Sequence, residues 1–402
     1  MNPCEPFFAE RCVACGECLR QCPVLRLSPK AAREEAARRR DGRPSRRILS
    51  RCQSCLACNF VCPHGANPGR AMLDAWHEIG LREGFPARAA YFTPDQPNNF
   101  RTHVVNNLPA DERALVASWD NETPCDEIFY PGCNVITSPY LTRTRLLADQ
   151  NIRGSLALCC GEMYFRTGQY EMLERTAKRL TAWSRRLGFK KMIIPCTAGR
   201  NMFVNVLPRF GAHFDFEVTP LLSWLLARVE SGEIPLRRPL DLTVTIQESC
   251  HAKFFGDEYL DQARRLLARL GARVIEQEHC RQKALCCGIA AGFSPDSAYH
   301  PWAITKGSVR VLREAKRTGA QALAVYCAGC LQMLSVGQIA FPNGLPIYHL
   351  LELVQLASDE PPLRRQRQRA FSMLQGVVLR QFPQLLSRRR FRPTDLADES
   401  RD

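Results

Sequence analysis

Apolar and polar positions follow three regimes along the chain. In the first part they keep a helical period: Lys30 to Arg40 is rich in strong helix formers, and Met72, Trp76 and Ile79 recur on one helix face. From Phe85 to Pro124 the period is broken by Pro94, Pro97 and Pro109, which predicts a linker packed between domains. Beyond it, short apolar runs alternate with helical stretches such as Glu171 to Leu187 and Leu260 to Leu270, the pattern of parallel α/β units.

Those later elements repeat. Ile128-Phe-Tyr-Pro-Gly-Cys133 is echoed by Val244-Thr-Ile-Gln-Glu-Ser-Cys250, Leu158-Cys-Cys-Gly161 by Leu285-Cys-Cys-Gly288, and Met192-Ile-Ile-Pro-Cys196 by Leu323-Ala-Val-Tyr-Cys327. Three matches in the same order indicate two related halves. Ligands of parallel sheets collect beyond the carboxyl ends of the strands, where Cys133, Cys196, Cys250 and Cys327 are expected to fall. A core strand explains the apolar runs but not a cysteine at the end of each.

Composition narrows the chemistry. The hydrophobic fraction is 45%, and no apolar run approaches the ~18 residues of a membrane span. The N-terminal residues lack a signal-peptide pattern, so the chain reads as cytosolic. Thiols stay reduced there, and 20 cysteines in regular clusters then argue for metal rather than disulfides. A net charge of +15, almost all of it arginine, seeks anionic partners.

The first cluster is Cys12-x2-Cys15-x2-Cys18-x3-Cys22-Pro23 and the second Cys52-x2-Cys55-x2-Cys58-x3-Cys62-Pro63. Three close thiolates wrap one face of a [4Fe–4S] cube while the fourth reaches the other cube. The expected sets are Cys12, Cys15, Cys18 and Cys62 for one cluster and Cys52, Cys55, Cys58 and Cys22 for the other. Structural zinc normally uses two spaced pairs instead. In the second half, Cys250, Cys286, Cys287, Cys327 and Cys330 are one thiolate too many for a single cube, which points to an opened, multi-cube iron–sulfur site. Gly288 lets the backbone approach closely, and a helix beginning at Ala328 stabilises the thiolates of Cys327 and Cys330.

With these motifs on residues 8 to 355, the chain resembles the Cys-Cys-Gly proteins of heterodisulfide reductase, in particular those of the D type. The iron–sulfur subunits of glycerol-3-phosphate, glycolate and lactate oxidases share that architecture. The resemblance implies an α/β fold with an all-α part: a helical two-cluster ferredoxin domain (1–85), a linker (86–124), two repeated Rossmann-like Cys-Cys-Gly halves (125–236 and 237–357) and a basic tail (358–402). It also implies that Cys250, Cys286, Cys287, Cys327 and Cys330 bind a noncubane [4Fe–4S] pair that cleaves a disulfide. The first half departs from the pattern. Cys133, Cys159, Cys160 and Cys196 match, but Gly199 stands where the last ligand belongs, leaving a cubane, a zinc ion or a vestigial site as alternatives.

Cys4, Cys125 and Cys280 remain as spectators, although Cys280 could lie near the second site. His251 could donate a hydrogen bond or proton there, or be a structural loop histidine; His64 and His77 could tune a cluster, or simply pack. Arg33, Arg38, Arg39, Arg40, Arg43, Arg46 and Arg47 form either a docking face for an acidic redox partner or a solvated helix. The tail, with Arg364, Arg365, Arg367, Arg369, Arg380 and Arg388 to Arg390 among apolar residues, could dock a membrane surface or a partner subunit. No nucleic-acid motif accompanies these charges. No Gly-x-Gly-x-x-Gly fingerprint is present, so neither bound flavin nor NAD is expected.

The function these readings predict is an electron-transfer subunit of a larger oxidoreductase, served by a flavoprotein, b-type cytochrome or ferredoxin partner. It would act in the cytoplasm or at the inner face of the membrane through that partner. The alternatives are an iron–sulfur subunit that passes electrons from a flavin-dependent dehydrogenase to quinone, and a metal-stabilised assembly scaffold without redox turnover.

Overall fold

The computed structural model describes residues 3–22, 24–292 and 300–393; Pro23 and the end of the tail lie outside them. Ahead of Phe85 the described residues form only helices and turns. The insert between the cysteine runs is the helix Pro29–Arg40, started by Ser28, whose hydroxyl accepts from Ala31 N, and by Pro29 in the first turn. Ala32, Ala36 and Arg39 form its buried face. This helix lies so close to the first run that a Cβ on Gly16, at φ +79°, would stand 2.7 Å from Arg33 N.

Nine strands follow among the described residues: β1 (Phe85–Pro86), β2 (Glu127–Phe129), β3 (Lys191–Ile194), β4 (Glu217–Pro220), β5 (Leu242–Gln247), β6 (Ala272–Val274), β7 (Ala322–Val325), β8 (Ile347–His349) and β9 (Arg390–Phe391). One parallel sheet has the order β2-β3-β4 and the other β6-β5-β7-β8. A parallel bridge from Phe129 to Ile152 flanks β2 as β6 flanks β5. The strand β7 is buried on both faces: Ala322 and Ala324 join Ile193, Val244 and Leu350 in a core between the sheets, while Leu323 and Val325 enter the core shared with Tyr91 and Phe100. The dicluster segment shares a second core with the first half, where Trp76 and Leu173 are fully covered.

Two segments differ from expectation. Residues 86–124 are no simple linker: they contain the helices Phe100–Asn106 and Ala110–Ser118, and Tyr91, Phe92 and Phe100 enter the core of the second half. The prolines punctuate short helices there, and Asn99 caps one by accepting from Arg101 N and Thr102 N. The tail forms the helix Gln366–Gly376 on the helices Ala328–Ala340 and Phe100–Asn106, while β9 pairs antiparallel with β1.

The helix Leu350–Ala357 begins in a buried capping box: Leu351 N donates to His349 Nδ1 at 3.2 Å and His349 N to Glu352 Oε2 at 2.7 Å. Burial pushes the Glu352 carboxyl up from 4.5 to about 7 and the His349 imidazole down from 6.5 to about 4. His349 therefore contributes stability that is lost as pH falls through that window. Glu352 contributes stability present below 4.5 that is lost as pH rises towards 7. Glu352→Gln removes the second dependence, so the variant should gain on the parent by up to ~3 kcal/mol between about pH 4.5 and 7.5. Denaturant midpoints across that range measure the difference, and a pH-independent gap would refute it.

Candidate functional site

Each of the four inner strands leads to a thiol just past its carboxyl end: Cys133 after β2, Cys196 after β3, Cys250 after β5 and Cys327 after β7. Cys196 and Cys327 are the extended N-cap residues of the helices Thr197–Asn201 and Ala328–Ala340. The Cys-Cys-Gly loops add Cys159, Cys160, Cys286 and Cys287, and Cys330 comes from the first turn of the longer helix. All nine line one cavity of about 90 Å³. Gly288 is indispensable to this geometry, since at φ +115° a Cβ would stand 2.5 Å from Ser308 N.

The second-half thiols, all free, form a chain of thiol hydrogen bonds from Cys250 through Cys286, Cys287 and Cys330 to Cys327. The string does not stop at the half: Cys196 Sγ lies 3.6 Å from Cys327 Sγ. Cys133 and Cys159 form a second string with Cys160, whose charge reaches Cys196. The first-half thiols thus face the second-half set across one chamber. Hydrogen bonds from Cys286 and Cys330 draw the Cys287 thiol down to about 6. Hydrogen bonds from Cys196 and Cys330 hold Cys327 well below the usual thiol range. Gly199 faces Ile194, whose Cδ1 would stand 2.6 Å from a Cβ, so a ligand restored there must displace that methyl group.

Three buried arginines serve the thiol groups. Arg166 Nη2 donates to Cys250 Sγ at 2.9 Å, Nε to Glu162 Oε1 at 3.0 Å, and Nη1 to the carbonyl of Ser54 in the second dicluster loop. Burial opposes its charge, but Cys250 and Glu162 outweigh burial and raise its pKa. Arg101 holds the same relation to Cys133 and Cys159, and Arg39 Nη2 donates to Cys18 Sγ at 2.8 Å. Nε of both Arg39 and Arg101 is buried without a partner among the described residues.

The dicluster cysteines Cys18, Cys22, Cys52, Cys55 and Cys58 line a cavity of about 320 Å³, partly covered by Glu278, His279 and Lys283 from the second half. Burial pushes Cys52 up to about 12. The charges of Cys62 and Cys12 act on Cys18, and that of Cys55 acts on Cys22. Cys12, Cys15 and Cys62 are half-buried. All-thiol sets suit zinc or iron–sulfur clusters rather than hard cations, and the unpartnered guanidinium nitrogens beside them fit an anionic occupant.

Other side chains named from the sequence sit as follows. Arg39 belongs to no docking face, being 3% exposed and committed to Cys18, whereas Arg38 and Arg40 are exposed. His251 is buried at the edge of the thiol chamber: Nδ1 lies 3.1 Å from Asn201 Nδ2, and Nε2 lies 3.0 Å from Glu162 Oε1 and 2.8 Å from Arg166 Nη2, the nitrogen that donates to Cys250. His77 packs on Tyr170 and bonds the carbonyl of Gly168 at 2.7 Å. Cys280 answers to the charges of Glu276 and Arg264 and does not line the nine-thiol cavity. Arg101, Arg166 and Glu162 carried no sequence signal among so many charges. Arg39 did, at helical spacing from Ala32 and Ala36.

Comparison with known proteins agrees with this chemistry. Residues 8–66 match the 4Fe-4S dicluster domain family and residues 244–335 the cysteine-rich domain family. Over 400 residues the chain is 23% identical to the D-type polypeptide of the dihydromethanophenazine:CoB--CoM heterodisulfide reductase of Methanosarcina barkeri, covering 86% of this chain and 93% of that protein. It is 22% identical over 377 residues to a polypeptide of the CoM/CoB fumarate reductase of Methanothermobacter marburgensis, covering 87% and 72%. It is 23% identical over 270 residues to EtfAB:quinone oxidoreductase of Syntrophomonas wolfei, covering 60% of this chain but only 36% of that protein. Among the described residues no helix is long and apolar enough to cross a membrane.

Proposed function

We propose that this chain, an iron–sulfur protein carrying a 4Fe-4S dicluster domain and a cysteine-rich domain, is the electron-transfer subunit of a heterodisulfide reductase-like oxidoreductase. The observation that carries the reading is the nine-thiol chamber, tied through Arg166 to the loop that holds Cys52 and Cys55. Cys12, Cys15, Cys18 and Cys62 hold one cubane, and Cys52, Cys55, Cys58 and Cys22 the other. The spacing of the two runs supports this crossing. Cys250, Cys286, Cys287, Cys327 and Cys330 hold a noncubane cluster. Bound there, these groups supply one-electron transfer.

The two halves are read as copies of one Rossmann-like unit, a reading supported by the shared strand order and by the bridge at Ile152. Cys133, Cys159, Cys160 and Cys196 serve the shared chamber rather than a separate site, since Cys196 contacts Cys327. The protein's own contribution is to keep the sulfurs dry, offset their charge with Arg39, Arg101 and Arg166, and fix His251 and Glu162 beside Cys250. A redox partner completes the assembly: a flavoprotein, a b-type cytochrome or a ferredoxin. The likeness to a quinone oxidoreductase favours, as a second reading, delivery of electrons to quinone.

The test is Cys22→Ser in anaerobically purified protein. The parent should hold at least about eight irons per chain, and the variant should lose the EPR signal of the cluster bound by Cys52, Cys55 and Cys58. Damage confined to the cluster of Cys12, Cys15 and Cys18 would overturn the crossed assignment. Zinc without a reducible centre would leave only the scaffold.

A further inference from the structure

Of the eleven large hydrophobic side chains exposed among the described residues, six belong to the C-terminal segment: Leu363, Phe371, Val378, Leu379, Phe382 and Leu386. That clustering sets them apart from the scattered apolar residues of any surface. The segment is a helix over Gln366–Gly376 extended by a π-turn over Val377–Gln381. Its inner stripe, Ala370, Met373, Val377 and Gln381, is buried. Phe371, Val378 and Phe382 keep the same seven- and four-residue spacing on the outside, and Leu386 continues the stripe at 95% exposure.

Charge accompanies the stripe, with Arg367 lying over Phe371 itself. From Pro361 to Pro393 the sequence has nine arginines and no acidic residue. Glu112 takes up two of them, Arg365 and Arg369, while Arg364 lies over Tyr348. Arg367, Arg380, Arg388 and Arg389 remain exposed. Arg380, Arg389 and Arg390 also line an open hollow of about 400 Å³ between the tail and residues 87–98, where Arg390 is shared with Glu83.

We infer that this face docks on an anionic phospholipid surface. The apolar ridge enters the acyl boundary and the arginine-lined hollow receives phosphate headgroups. Apolar anchors on one face of a helix with arginine beside them are what an interfacial helix requires, and basic residues near an anionic leaflet add to the attraction. An acidic protein would match the charge, but it would also have to cover a convex ridge whose outermost leucine stands almost wholly in solvent. Lipid docking by this face does not depend on the cluster assignments.

Flotation of the full chain with vesicles tests it. The parent should float with phosphatidylcholine–phosphatidylglycerol vesicles and not with pure phosphatidylcholine, and high salt should release it. Leu379→Glu with Phe382→Glu, and separately Arg380→Glu with Arg389→Glu, should each weaken binding at least about tenfold. All four side chains are exposed, so circular dichroism should be unchanged. Failure of the parent to bind anionic vesicles overturns the inference. So does binding that both double variants retain, or that only the arginine variant loses and glycerol phosphate abolishes, which would be a free-phosphate site. A parent dimer in light scattering that Leu379→Glu with Phe382→Glu dissociates, without vesicle binding, would assign the ridge to a second copy instead.

Discussion

Arg166→Met should lower the stability of the metal-free chain by about 3–5 kcal/mol, the usual cost of removing one partner from a buried charge pair. Arg166 is 1% exposed, and its guanidinium joins three parts of the chain far apart in sequence: Ser54, Glu162 and Cys250. Methionine fills much of the volume but leaves the Ser54 carbonyl unpaired and Glu162 with only His251. Arg166→Lys restores the charge without the planar fork and cannot reach all three acceptors, so it should recover only part of the loss. Anaerobic guanidinium unfolding measures both variants. A methionine variant within about 0.5 kcal/mol of the parent would show that the junction does not hold the domains together.

Glu112→Ala should be comparably severe, by about 3–5 kcal/mol, yet act on a different junction, that of the tail. Glu112 is completely buried and accepts from both Arg365 and Arg369, pinning the tail helix to the segment after the dicluster domain. Its loss strands Arg369, itself 4% exposed, in an apolar contact. Protease sensitivity should therefore rise first around residues 365–390. Glu112→Leu combined with Arg369→Met should recover much of the stability, because an apolar pair of similar volume can replace a buried ionic one. If the single and double variants unfold alike, the carboxylate is not what fastens the tail.

What the sequence disclosed and what it hid follow from contact range. The two cysteine runs are local: four thiols within eleven residues declare their chemistry by spacing alone. The helices over 29–40, 68–83 and 170–187 were legible from helix-forming composition and period. The approach of Cys196 to Cys327 spans 131 positions and depends on how two sheets share a core, which no local period encodes. Arg166 was invisible for another reason: in a chain so rich in arginine, one more reads as surface until packing encloses it. The helices inside 86–124 were hidden because prolines interrupt the period there and the helix Phe100–Asn106 is announced by little more than its cap, Asn99.

The cover that Glu278, His279 and Lys283 place over the dicluster cysteines has a consequence for the order in which the molecule is made. Those three residues lie more than two hundred positions after the cysteines they cover, so during synthesis the dicluster segment emerges long before its roof exists. Iron delivery meets an open pocket at that stage and a partly roofed one after the second half has docked. Cluster loading of the full-length empty chain is therefore expected to be slower than loading during synthesis, before the second half has emerged.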